Sequence, residues 1–165
     1  MRWLSKAELE SLLTLAHARG GYAPALILLG AYAGLRIGEI VHARRDWLDV
    51  DNRLLRVRAT DDWHPKGNKE RTLPLHRALL PLAEGGELLV PVTKRAAQQA
   101  VTDLARQAGL DHVTAHTLRH TFASRAVMEG VPLYTVSHWL GHASITTTQI
   151  YAHLAPQHDL MDRLG

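Results

Sequence analysis

The sequence predicts an α+β domain, a mainly helical body around a small three-stranded antiparallel sheet. Helical apolar spacing with capping and stop residues recurs along most of the chain, whereas residues 47–75 switch to short apolar alternations punctuated by turn formers. Size is the third observation: 165 residues with 46% apolar content suit a single domain with a substantial core and no linker or repeat. Several short helices gathered about one small sheet satisfy both patterns.

Ser5-Lys6-Ala7-Glu8 is a capping box, and Leu9, Leu12, Leu13 and Ala16 follow at helical spacing up to Gly20-Gly21. A second helix over 23–33 is apolar nearly all round and is expected to be buried. Gly34 breaks it, and helical spacing resumes from Leu35 to Val41, which puts Arg36 at a helix N-terminus. Leu48, Val50, Leu55 and Val57 around Asp51-Asn52 read as a strand hairpin. Pro65-Lys66-Gly67-Asn68-Lys69 is a second turn, and Thr72-Leu73-Pro74-Leu75 a third strand whose proline marks an edge or an end. Helices are then expected over 76–84, 93–108, 117–129, 132–140 with Pro132 in its first turn, and 144–151 capped by Ser144.

Composition excludes several classes of function. With zero cysteines there is no disulfide framework, thiol nucleophile or cysteine-ligated metal. The longest apolar run, Ala23 to Ala33, is interrupted by Pro24, Gly30 and Tyr32 and falls short of the roughly 18 residues that span a bilayer. The N-terminus has no signal-peptide pattern, so a soluble, cytoplasmic protein without a membrane partner is expected. Net charge is only +3, but residues 36–77 hold ten Lys/Arg against seven Asp/Glu, and seven of the eleven histidines lie in 78–165. That distribution points to localised anion chemistry and away from a basic tail.

Taken singly, the polar candidates are ambiguous. Arg36 lies in an apolar setting, where Glu39 three residues on can pair with it. His116 and Arg119 share a helix face, and His116 with His120, and His112 nearby, has the i,i+4 spacing of metal ligands. No carboxylate or cysteine at a familiar spacing completes such a site, so no metal and no cofactor are expected. Lys66 sits in a turn, His142 follows Gly141 between two helices, and Tyr151 has the pattern of a half-buried aromatic anchor. Together they are a set able to attack a phosphodiester without a metal. Two guanidiniums clamp the added charge of the transition state, a base or cations activate a tyrosine, and a lysine protonates the leaving oxygen.

These residues also carry a family resemblance. Ala33-Gly34-Leu35-Arg36-Ile37-Gly38-Glu39-Ile40, His116-Thr117-Leu118-Arg119-His120-Thr121-Phe122-Ala123, and Leu140-Gly141-His142 with Tyr151 nine residues later resemble three blocks of the tyrosine recombinase catalytic domain, the phage-integrase and Xer-like group. Lys66-Gly67-Asn68-Lys69-Glu70-Arg71 before Leu73-Pro74-Leu75 resembles the family's lysine-bearing hairpin. The blocks stand in family order over nearly the whole chain.

The resemblance implies site-specific DNA recombination through a 3′-phosphotyrosyl intermediate on Tyr151. Arg36 and Arg119 would bind the scissile phosphate, with His142 a further donor to it. His116 would assist proton transfer at the nucleophile, and Lys66, with Lys69 as its rival, would protonate the 5′ oxygen. Glu39 would orient Arg36 or His116. The implied partners are double-stranded DNA and further copies of the chain in a synaptic tetramer. The tail residues Leu154, Leu160, Met161 and Leu164 would pack on a neighbouring protomer or fold back on their own. The family's N-terminal helical domain is not among these 165 residues. Two rivals remain at this stage: a DNA-binding or regulatory module with the same fold, and a type IB topoisomerase.

Overall fold

The computed structural model describes residues 1–157 and 161–165, the Asn68 side chain excepted. Helix α1 (Lys6–Arg19) starts at the expected capping box: Ser5 Oγ accepts from Glu8 N at 3.1 Å, and the Glu8 carboxylate accepts from Ser5 N at 2.8 Å. Helix α2 (Ala23–Ala33) is buried on nearly every side and forms the centre of the core. It ends at Gly34, whose φ of 66° is left-handed and whose Cα faces Phe122 so closely that a Cβ would lie 2.4 Å from Cδ1. The chain thus turns sharply into the four-residue helix α3 (Ile37–Ile40), with Arg36 as its N-cap.

Strands β1 (Leu48–Asp49), β2 (Leu54–Val57) and β3 (Arg71–Pro74) form one antiparallel sheet in that order, with Leu55 opposite both Leu48 and Leu73. Pro74 therefore lies at the end of an edge strand, where its missing N–H removes no ladder bond. Val50 is not in the sheet. The Asp49 carboxylate accepts from Asn52 N at 3.0 Å and turns the chain one residue early, which leaves Val50 exposed.

The expected helix over 76–84 is a 3₁₀ segment, Arg77–Glu84, because Pro81 inside it cannot donate to an α-helical ladder. Helix α4 (Lys94–Gln107) is capped by Thr93. Helix α5 spans Ala115–Met128, two residues earlier than its expected start, because Thr114 and Thr117 form a reciprocal cap. Helix α6 (Leu133–Leu140) follows Pro132, which caps it from outside its first turn. The expected helix over 144–151 divides into α7 (Ile145–Thr148) and a 3₁₀ segment, Gln149–Leu154.

A main core joins α1, α2, the sheet and α4, and a smaller one gathers Ala123, Val127, Val136, Leu140 and Tyr151. Leu154 packs on the smaller core, Met161 and Leu164 are exposed, and Leu160 lies outside the described residues. Among the described residues no helix is long and apolar enough to cross a membrane.

Candidate active site

The candidate residues converge where α3, α5 and the α6–α7 turn meet. Arg119, 4% exposed, projects from α5 and donates from Nη1 to Gly34 O and from Nη2 to Leu140 O, the latter at 2.8 Å. Arg36 reaches the same Leu140 oxygen from Nη1 at 3.4 Å. One backbone carbonyl therefore brings the two guanidiniums together, although they lie 83 positions apart in sequence. The early start of α5 places His116 in its first turn, on the same face as Arg119.

Arg36, Glu39, Lys66, His116 and Arg119 line one cleft of about 730 Å³, with Trp63 on its wall. Lys66 enters from the long β2–β3 connection, on a 3₁₀ turn in which Gly67 has a φ of 70°. Lys69, in the same turn, does not line the cleft. Trp63 anchors this connection: its indole stacks on the His42 ring at 4.7 Å between centroids, with 5° between the planes.

Glu39 has a partner beyond the expected Arg36. Its carboxylate takes both Arg71 terminal nitrogens, at 2.5 and 2.9 Å, and also accepts from Arg36 N at 2.8 Å. The Arg36 guanidinium is 3.9 Å away, and no hydrogen bond joins Glu39 to His116. Arg71 Nε donates to Trp139 O at 2.7 Å. This fixes the end of α6 and hence the Leu140 carbonyl. Burial pushes the Glu39 carboxyl up, but the Arg71 hydrogen bonds and charge, with the Arg36 amide, hold it below the ordinary range.

His142 and Tyr151 lie beside the cleft and not on its lining. His142 Nδ1 is hydrogen-bonded to Thr148 Oγ1 at 2.5 Å. Tyr151, 2% exposed, has its hydroxyl on His120 Nδ1, and His120 meets His116 edge to face at 4.6 Å. The spacing that suggested metal ligands thus serves a row of three rings ending on the tyrosine.

The electrostatics have one sign. Burial, then the neighbouring Arg36, pushes Arg119 down to about 9, and burial lowers Arg36. Burial followed by Arg119 and Arg36 pushes His142 down to about 4, and burial with Arg119 lowers His116. Glu39, the carboxylate lining the cleft among the described residues, is committed to Arg71. Crowded, half-desolvated cations without a free counter-charge make a site that gains by taking up an oxyanion.

Sequence reasoning missed two residues here. Arg71 had a signal: strand alternation puts it on the inward face with Leu73, where a cation needs a buried carboxylate. His120 had none beyond its i,i+4 spacing from His116, because its partner is 31 residues away.

Comparison with known proteins places the chain in a family. The phage integrase family profile matches residues 2–85 and 88–158. The tyrosine recombinase XerC of Pseudomonas aeruginosa is 38% identical over 151 residues, a match covering 81% of this chain and 48% of that protein. XerC of Bacillus pumilus is 29% identical, with 93% and 57% covered. The chain thus spans about half the length of the curated relatives it matches. Among solved structures, the XerA recombinase superposes with a TM-score of 0.77 at 26% identity, over 99% of this chain and 64% of that one. The catalytic domain of bacteriophage HP1 integrase has the same fold, with a TM-score of 0.77 at 24% identity, over 97% and 92%. The chain belongs to the phage integrase family, the tyrosine recombinases, and has the fold of their catalytic domain.

Proposed function

We infer that the chain cleaves and rejoins double-stranded DNA at specific sites, through a covalent 3′-phosphotyrosyl intermediate on Tyr151. The observation that carries this is the cleft in which Arg36, Arg119, His116 and Lys66 face one space without a free carboxylate among the described residues. A DNA phosphodiester supplies the missing anion. The added charge of its transition state is what two anchored guanidiniums stabilise best. Arg36 and Arg119 bind the non-bridging oxygens, His142 adds a donor, and Lys66 protonates the leaving 5′ oxygen. His116 assists proton transfer at the nucleophile, and Glu39 holds Arg36 through its backbone amide. The phosphotyrosine keeps the energy of the bond that was broken, so rejoining needs no nucleotide and no metal or other cofactor.

Solved relatives support DNA as the partner. The XerH recombinase has been solved bound to difH substrate, and the Tn1549 transposon integrase in complex with circular intermediate DNA. Exposed Met161 and Leu164 fit packing on a neighbouring copy within a synaptic assembly on DNA. A cytoplasmic location goes with that activity.

Covalent capture on a nicked suicide duplex is the test. The wild-type chain should hold a strand through denaturant, and Tyr151→Phe should hold none. Capture that persists in Tyr151→Phe rules out this nucleophile. Relaxation of supercoiled plasmid at any sequence would instead mark a topoisomerase. One observation favours a second reading, a binding module without cleavage: the Tyr151 hydroxyl is buried on His120 and lies off the cleft lining. Equal gel-shift binding by wild type and Tyr151→Phe, with no covalent product from either, would establish that reading.

A further inference from the structure

The histidine that touches the proposed nucleophile is His120, whereas the histidine that lines the cleft is His116. Tyr151 is 2% exposed, so its hydroxyl proton needs an acceptor within the protein. Among the described residues its one hydrogen-bond partner is His120 Nδ1. If that nitrogen carried a proton, the phenol proton would be stranded in the interior, so the lone pair is on Nδ1 and the ring proton on Nε2. The imidazole is thus already in the tautomer that can take a proton from the phenol.

Resting on the reading of Tyr151 as the nucleophile, we propose that His120 is a catalytic residue: it accepts the Tyr151 proton at Nδ1 as the phenolic oxygen attacks phosphorus. The balance is closed. The phenol O–H bond breaks as the O–P bond forms, and the proton goes to His120. The bond from phosphorus to the 5′ oxygen breaks, and that oxygen takes a proton from Lys66. Rejoining runs both transfers backwards, so each group recovers its starting state without an external acid or base.

The surroundings fit this role. In the free protein, burial followed by the charges of His116, Arg119 and the N-terminal amine pushes His120 down to about 4, so the ring is neutral and ready to accept. Burial raises the Tyr151 phenol, opposed by Arg119, so the nucleophile stays protonated until substrate arrives. An anionic phosphodiester beside Arg119 offsets the part of the lowering of His120 that comes from neighbouring positive charge, the smaller part beside burial. The loss of the phenol proton places an oxyanion next to the ring. Both changes raise the proton affinity of His120 when it is needed. His116, which lines the cleft, lies edge-on to His120 with the ring centroids 4.6 Å apart.

The test uses the full chain and a nicked duplex recovered from a randomised pool by covalent capture on the wild type. His120→Ala should slow single-turnover capture about 10²-fold while retaining DNA binding, and added imidazole should restore at least about a tenth of the lost rate. His120→Gln, which keeps a hydrogen-bonding group but cannot take the proton, should be as slow as His120→Ala and should guard against a fold defect. Capture within twofold of wild type in either variant would overturn the proposal. So would a slow His120→Ala, unresponsive to imidazole, beside a wild-type rate in His120→Gln, since that pattern means the hydrogen bond alone matters. Capture that persists in Tyr151→Phe, or is absent from the wild type, removes the nucleophile reading itself and the role of His120 with it. In the free chain, the His120 nitrogen resonances should show an unprotonated Nδ1 that shifts in Tyr151→Phe, and an unshifted resonance would overturn the hydrogen bond directly.

Discussion

Glu39 and Arg71 form a two-hydrogen-bond ion pair, at 2.5 and 2.9 Å, between side chains that are 2% and 3% exposed. Removing one partner strands the other charge in the interior. Glu39→Ala should therefore lower unfolding stability by about 3–5 kcal/mol, measured by urea denaturation. Because the Glu39 carboxyl is held below its ordinary value near 4.5, its contribution is complete above that pH and is lost as the pH falls through the folded-state value. A cost below 1 kcal/mol would mean that water enters the pair.

Gly141 should be less replaceable than a left-handed glycine with open space around it. Its φ is 73°, and a Cβ would lie 2.9 Å from Arg71 Nη1. Gly109 has a similar φ of 71° with nothing within 4 Å of the same added atom. Gly109→Ala should cost about 1–2 kcal/mol from backbone strain alone. Gly141→Ala should cost more, because it also displaces Arg71 from Glu39. Melting temperatures of the two variants would decide, and equal shifts would show that the guanidinium moves aside freely.

Trp63→Ala should free the loop that carries Lys66. Loss of the His42 stack removes about 0.5–1.5 kcal/mol of local order, so trypsin should cut after Lys66 or Lys69 several-fold faster while the melting temperature changes little. An unchanged cutting rate would show that the loop is held elsewhere.

Acid should destabilise the free chain through its histidines. His120 and His142 are both held near 4 against an ordinary 6.5. Between those values the unfolded chain binds protons that the folded chain refuses, so stability falls as the pH drops from 6.5 towards 4. His142→Gln should flatten that slope, and inorganic sulfate, by occupying the arginine site, should raise the melting temperature most at the acid end. A slope identical in wild type and variant would remove His142 from the account.

Much of the fold was legible because its signals are local. The capping box at Ser5 and Glu8, the apolar run of α2 and the stop at Gly34 each act within a few residues. Where a signal was misread, a neighbouring side chain decided: Asp49 turned the strand before Val50, and Pro81 forced the 3₁₀ geometry. The site was partly legible, since the arginine, lysine and histidine blocks named most residues of the cleft. Their partners were not. The contacts of Glu39 with Arg71, and of His120 with Tyr151, span 32 and 31 positions and exist only after α5, α6 and the sheet have packed.

The Leu140 carbonyl accepts from both Arg36 and Arg119, and the chain leaving it runs through His142 to Tyr151. The two guanidiniums and the proposed nucleophile are therefore mounted on one bracket. A displacement of the α6–α7 turn would be felt at both guanidiniums and, ten residues further along the same stretch of chain, at Tyr151.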